Sequence, residues 1–222
     1  MKLTVLAMLV ASLAVSFAAE NSLASVPTNR ITNGGFELPT VVGGNQEFGA
    51  PSTAITGWQV SAGSIDLITS GSILGSAHSD LQMIDINGSS AGAVEQTFAT
   101  VPGYNYRLEL YYSNNPNPAS ALPSYSASIR VLGATQLLHA LVFHAGATEL
   151  NMNWSRFAQS FTADSATTTL KLSSNQGGFN GIYFDSVSVI PEPSSIALIT
   201  PIGMLVTFLS SRPLRQFHPR KL

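Results

Sequence analysis

The chain has 222 residues and no cysteine, and its formal net charge of −2 conceals an uneven distribution. Between Glu20 and Ile190, five basic residues (Arg30, Arg107, Arg130, Arg156, Lys171) stand against eleven acidic ones, a net of −6. So acidic a body has no electrostatic basis for gripping phosphate backbones, which argues against a nucleic-acid partner, and the lack of cysteine excludes disulfides, thiol catalysis and cysteine-ligated metals.

Met1 to Ala18 reads as a secretory signal. Lys2 gives the positive start, Leu3 to Phe17 the apolar run, and Ser16-Phe17-Ala18 the small residues for cleavage after Ala18. The alternative is an N-terminal membrane anchor. Residues 19–28 form a short lead-in. The remainder, up to about Ile190, is long enough for one domain with a substantial core.

That body reads as β. Gly, Ser, Asn and Thr punctuate it, and alternation of apolar and polar residues replaces helical spacing. Thr56 to Val60 and Ser64 to Ile68 are short strands around a glycine turn. Leu81 to Ile86 and Ala93 to Thr100 flank Asn87-Gly88-Ser89-Ser90, a hairpin signal. In Asn105 to Tyr112, Tyr106, Leu108, Leu110 and Tyr112 share one parity and Arg107, Glu109 and Tyr111 the other, as in a half-buried strand. A proline-rich polar loop from Asn114 to about Ser124 follows. Ser126 to Leu132, Ser155 to Phe161, Thr167 to Leu172 and Ile182 to Ile190 are further strands, while His139 to Asn153 fits either a strand plus loop or a short helical turn. Nine or ten short strands predict a sandwich or jelly roll.

The chain ends in three parts. Pro191-Glu192-Pro193 interrupts any helix. Residues 194–211 carry no charge and, as a helix at about 1.5 Å per residue, would reach roughly 27 Å, close to a hydrocarbon core of about 30 Å. Arg212, Arg215, Arg220 and Lys221 then place the end on the cytoplasmic side and the body outside. This order resembles the PEP-CTERM sorting signal of exported Gram-negative proteins, with Pro191, Glu192 and Pro193 as the motif. The resemblance implies processing by a membrane-embedded exosortase and a membrane helix that is at least transient. A plain C-terminal anchor is the alternative.

A second resemblance is carried by Asn33-Gly34-Gly35-Phe36-Glu37, Ala54-Ile55-Thr56-Gly57-Trp58, Ser64 to Ile68, Asp85-Ile86-Asn87-Gly88, Gln96-Thr97-Phe98 and Pro102-Gly103-Tyr104. Trp154, Phe157, Phe161 and Phe184-Asp185-Ser186-Val187-Ser188-Val189 complete it. Over residues 29–190 the chain resembles the choice-of-anchor C family, which implies an all-β, galactose-binding-like jelly roll akin to carbohydrate-binding modules. In related modules, a glutamate after Asn-Gly-x-Phe and a late aspartate help hold a structural calcium, which would here involve Glu37 and Asp185. Asp185 shares strand parity with Val187 and Val189 and is expected on the core face, where a lone carboxylate needs a cation or several N–H donors. The alternative is that both carboxylates accept backbone hydrogen bonds and no ion is bound.

Other residues read more plainly. Asp80 and Asp85 are expected on a solvated face. His78, His139, His144 and His218 lack zinc spacing and are expected in loops or on the surface. Trp58 is expected in the core and Trp154 half-buried. Tyr111 on an outward parity, with Asn114 and Tyr125 at the two ends of the polar loop, would line a sugar site if one exists. The chain has no nucleophile elbow, zinc-protease helix or phosphate-binding loop. The expected function is therefore that of a non-catalytic, exported surface protein associating with extracellular polysaccharide. The alternatives are a glycan-active enzyme using carboxylates such as Asp66, Asp80 or Glu95, or a purely structural matrix component.

Overall fold

The computed structural model describes residues 27–71, 73–117 and 124–193. The signal sequence, the apolar span at 194–211 and the basic end fall outside these residues. Among the described residues there are eleven strands and no helix long and apolar enough to cross a membrane. They are β1 (Asn45–Gly49), β2 (Gln59–Ala62), β3 (Ser64–Thr69), β4 (Gln82–Asp85), β5 (Ala93–Ala99) and β6 (Asn105–Asn114). After these come β7 (Tyr125–Leu132), β8 (Gln136–His144), β9 (Ser155–Thr162), β10 (Thr167–Ser174) and β11 (Ile182–Pro191). The ambiguous stretch from His139 is thus strand β8 followed by a loop. β1 was not anticipated, because Asn45, Gln46 and Glu47 are all exposed and only Phe48 points inward.

Two antiparallel sheets face each other, ordered β1-β3-β4-β11-β6-β9 and β2-β5-β10-β7-β8. The pairing reveals one long hairpin rolled upon itself. β7 pairs with β8 at its tip, then β6 with β9, β5 with β10 and β4 with β11, and successive pairs alternate between the sheets. That is a jelly roll, with β1 and β3 extending one sheet and β2 the other. Asn87 to Ser90 does turn the chain back, with an antiparallel bridge between Asn87 and Ala91, but it does not pair β4 with β5. β4 and β5 belong to different sheets, and this segment carries the chain across the sandwich.

The core lies between the sheets, because each strand buries alternate residues. Leu108 and Leu110 of β6, Ile65 and Leu67 of β3 and Phe184 of β11 meet Ile129, Val131, Leu170 and Leu172 from the other sheet. Phe36 and Trp58 close it, ring centroids 5.1 Å apart, and the Trp58 indole N–H donates to the Asn33 carbonyl at 3.0 Å.

The outer face of the β1–β9 sheet has a cover of its own. Ile68, Met83 and Tyr183 point outward there, yet are buried beneath Met152, Leu74, Ala77, Ala147 and Trp154. The cover consists of the β3–β4 and β8–β9 connections, and it positions the polar groups described next.

Candidate functional site: an acidic cradle and an amide-walled cleft

The cradle forms where the N-terminal segment runs along β11. The Arg30 amide donates to the Val189 carbonyl and the Val187 amide to the Gly34 carbonyl, each at 2.8 Å. Gly34 packs so tightly on the Val187 carbonyl that a side chain there would collide with it. Around Gly35 three carboxylates converge. A Cβ at Gly35 would stand 3.8 Å from Asp185 Oδ1, 3.9 Å from Glu37 Cγ and 4.0 Å from Asp80 Oδ2.

Asp185 is buried, but not on the core face. β11 bulges between Asp185 and Ser188, and Ser186 has φ +53°. The extra residue resets the alternation, so Asp185 pairs with Tyr111 on the outer face while Val187 and Val189 still point to the core. Its oxygens accept from the Ser79 amide at 2.9 Å and the Ser186 amide at 2.5 Å. Burial nonetheless raises its pKa to about 7, and the neighbouring Glu37 charge adds to the rise against these donors. Glu37 Oε1 accepts from the Leu81 and Gln82 amides at 3.0 and 2.8 Å. The two carboxylates therefore have N–H partners and are still short of positive charge. Asp80, exposed with φ +53°, contributes the third.

The cleft opens at the loop end of the sandwich. It has a volume of about 710 Å³, with walls from Asn114 to Asn117 and from Gly146 to Leu150, and Tyr125 also lines it. Asn114 and Tyr125 thus meet in one cleft, whereas Tyr111 lies elsewhere on the sheet face. The ring of Tyr111 is covered by His78, centroids 3.6 Å apart, with Trp154 edge-on to the imidazole. Tyr125 is buried, and burial pushes its phenol pKa up.

Asn114 is a wall support. Its Oδ1 lies 2.8 Å from His144 Nδ1 and accepts from the Ala147 amide at 3.0 Å, and its Nδ2 donates to the Asn115 carbonyl at 2.7 Å. His144 is accordingly no surface histidine. It is buried, and its Nε2 lies 2.8 Å from the Asn153 carbonyl, tying the second wall down. β8 delivers it there because its parity is shared with Leu138 and Val142, both core residues.

Beneath the first wall lies Asp85, also no solvated residue. It is 1 % exposed, because the β10–β11 connection and the Asn115 wall close over it. It accepts from the Asn87 amide at 2.9 Å and from Asn115 Nδ2 at 2.8 Å. Burial pushes its carboxyl well above the usual carboxylate range despite these donors, and Asp66 directly opposite on β3 pushes it further. Asn87 Oδ1 and the Tyr183 hydroxyl are buried nearby without a hydrogen-bond partner among the described residues. Sequence reasoning missed Asn115, Asp85 and His144; the only signal was the Asn-rich run Asn114-Asn115-Pro116-Asn117.

The carboxylates considered for catalysis do not assemble. Asp66 stands on the outer face of one sheet. Glu95 stands on the opposite face of the sandwich, 3.0 Å from Lys171. No group of three His, Cys, Asp or Glu side chains with metal-binding spacing occurs among the described residues.

Over 157 residues the chain is 29 % identical to halomucin of Haloquadratum walsbyi, spanning 68 % of this chain but only 2 % of that protein. Among solved structures it is similar to a CBM4 domain, at 17 % identity and TM-score 0.42, covering 73 % of this chain and 99 % of that one. It is similar also to TmCBM61 in complex with β-1,4-galactotriose, at 13 % identity and TM-score 0.49, covering 74 % and 99 %. A family model described as "Protein of unknown function (DUF642)" matches residues 29–187, and the chain belongs to that family.

Proposed function

We propose that this chain is a non-catalytic, exported surface protein that holds extracellular polysaccharide in the cleft between the β6–β7 and β8–β9 connections. The observation that carries this reading is the cleft itself. It has room for a few sugar units, its walls are fixed by buried hydrogen bonds, and amides, a hydroxyl and a tyrosine line it. Concave sites of this size with a few placed polar groups are the usual form of small-ligand sites. A glycan array probed with the full chain, followed by incubation of each bound glycan, is the direct test. Binding without cleavage is expected; cleavage would move the chain to the enzymes, and no binding would leave a structural matrix role.

The cradle belongs to the same proposal as a structural calcium site, with Glu37 and Asp185 as ligands and Asp80 beside them. Bound calcium would supply the positive charge that burial of Asp185 calls for and would tie the N-terminal segment to β11. A ligand held only by the folded state raises its stability, so chelator is expected to lower the melting temperature.

Export and sorting complete the proposal, supported by the sequences of the two ends. An exosortase-type enzyme would process the tail at the surface of a Gram-negative cell. Pro191 still belongs to β11, and Glu192 is held against the body by the Ser160 hydroxyl at 2.6 Å. Cell fractionation of Glu192→Ala tests the sorting step; unchanged tail processing would refute it.

A further inference from the structure

We propose that the cleft selects glycans by charge, admitting neutral and amine-bearing sugars and turning away polymers of uronic or sulfated sugars. This deepens the glycan reading above and rests on it. The first observation is that the wall amides are already engaged. Asn114 accepts the Ala147 amide through Oδ1 and donates to the Asn115 carbonyl through Nδ2. Asn115 donates to Asp85 through Nδ2 and accepts the Asn117 amide through Oδ1 at 2.9 Å. Turning either amide to serve a ligand carboxylate would break buried hydrogen bonds, which opposes it.

The second observation is the sign of the charges. Among the described residues, the only acidic or basic side chain lining the cleft is Glu149, which is exposed on the β8–β9 wall. Behind the Asn115 wall are two more acids, Asp85 and, opposite it, Asp66.

The cations lie elsewhere. Arg156 is engaged by Glu109 through Nε at 2.8 Å, and Lys171 by Glu95. Arg130 is five residues along β7 from Tyr125, on the opposite side of the strand, about 16 Å away at the strand rise and beyond a Debye length of about 8 Å at physiological salt. A polyanion entering this cleft would find like charge and, among the described residues, no cation to pair with, and such juxtaposition works against the wrong ligand. An amine would find Glu149.

The test is the affinity of the full-length protein for chemically matched oligosaccharides, at pH 8 and with chelator present so that no calcium bridges two acids. Cello-oligosaccharides are compared with cellouronates, manno-oligosaccharides with mannuronates, and chitosan oligomers supply the amine. At physiological salt the uronates are expected to bind at least about ten-fold more weakly than their neutral partners, with the gap closing as added salt screens the charges. Glu149→Gln should at least halve that gap while leaving the melting temperature unchanged. Uronates that bind as well as their neutral partners would overturn the charge selection and leave the glycan reading standing. Failure of every oligosaccharide would overturn both. An unchanged gap in Glu149→Gln would overturn the assignment to this carboxylate.

Discussion

The cradle and the cleft are both polar sites on one jelly roll, yet they are built oppositely. The cradle gathers carboxylates around Gly35, one of them fully buried and held by backbone N–H donors. The cleft gathers amides, imidazole and backbone groups that satisfy one another, leaving one exposed carboxylate at the rim. Burying a carboxylate without enough compensation is costly, whereas a satisfied amide network rigidifies. The comparison teaches that the cradle concentrates negative charge around a buried carboxylate, whereas the cleft is a rigid network of groups that partner one another.

The largest expected effect comes from wedging the cradle apart. In Gly34→Ala the new methyl meets the Val187 carbonyl, so the N-terminal segment cannot seat along β11. A loss of more than about 3 kcal/mol is expected, read as a large drop in urea midpoint; a midpoint within error of the parent would break the account of the cradle.

Next comes Asp185→Asn. It should remove most of the chelator sensitivity and lower the melting temperature by several degrees in calcium, since roughly 1 kcal/mol moves a domain of this size by about 2–4 °C. Equal chelator sensitivity in parent and variant would show that calcium is not bound through Asp185.

The walls give a smaller effect. His144→Ala leaves the Asn114 amide and the Asn153 carbonyl without their imidazole partner. About 1–3 kcal/mol of destabilisation is expected, together with weaker glycan binding. A variant that melts lower yet binds as before would show that the walls need not be rigid.

Asp85 sharpens the comparison through pH. Its folded-state pKa lies above the unfolded value, so the folded protein keeps a proton that the unfolded chain releases. Its contribution is therefore present below about pH 4 and is lost as pH rises from there toward the elevated folded pKa. Stability measured in chelator should fall over that window, and Asp85→Asn should flatten the fall. A slope unchanged in the variant would assign it to another group.

Much of the fold could be read from the sequence because alternation is local. Tyr106, Leu108 and Leu110 face the core as their parity predicts, since β6 runs straight at those positions and one face of it is wholly apolar. Asp185 escaped the same rule because one inserted residue at Ser186 reverses the faces, and no apolar pattern marks a bulge. Asp85 and His144 escaped for a different reason. A polar residue beside apolar neighbours normally lies in water, but here connections distant in sequence close over Asp85, and His144 sits on the core-facing parity of β8 with Asn114 and Asn153 as partners.

By itself the sequence determined most of the strands, though not β1 or β8, that Trp58 is core, and that the body is acidic and cysteine-free, since these follow from side-chain chemistry and a period of two. It also brought Asn114 and Tyr125 together, because they end the two strands joined by one loop. Only the tertiary structure decided that Glu37, Asp80 and Asp185 meet at Gly35, that Tyr111 is stacked beneath His78, and that Gly146 to Leu150 form the opposite wall of the cleft. Those meetings depend on how a long hairpin rolls and which connections fold back over its outer face, and that is set by packing between segments far apart in the chain.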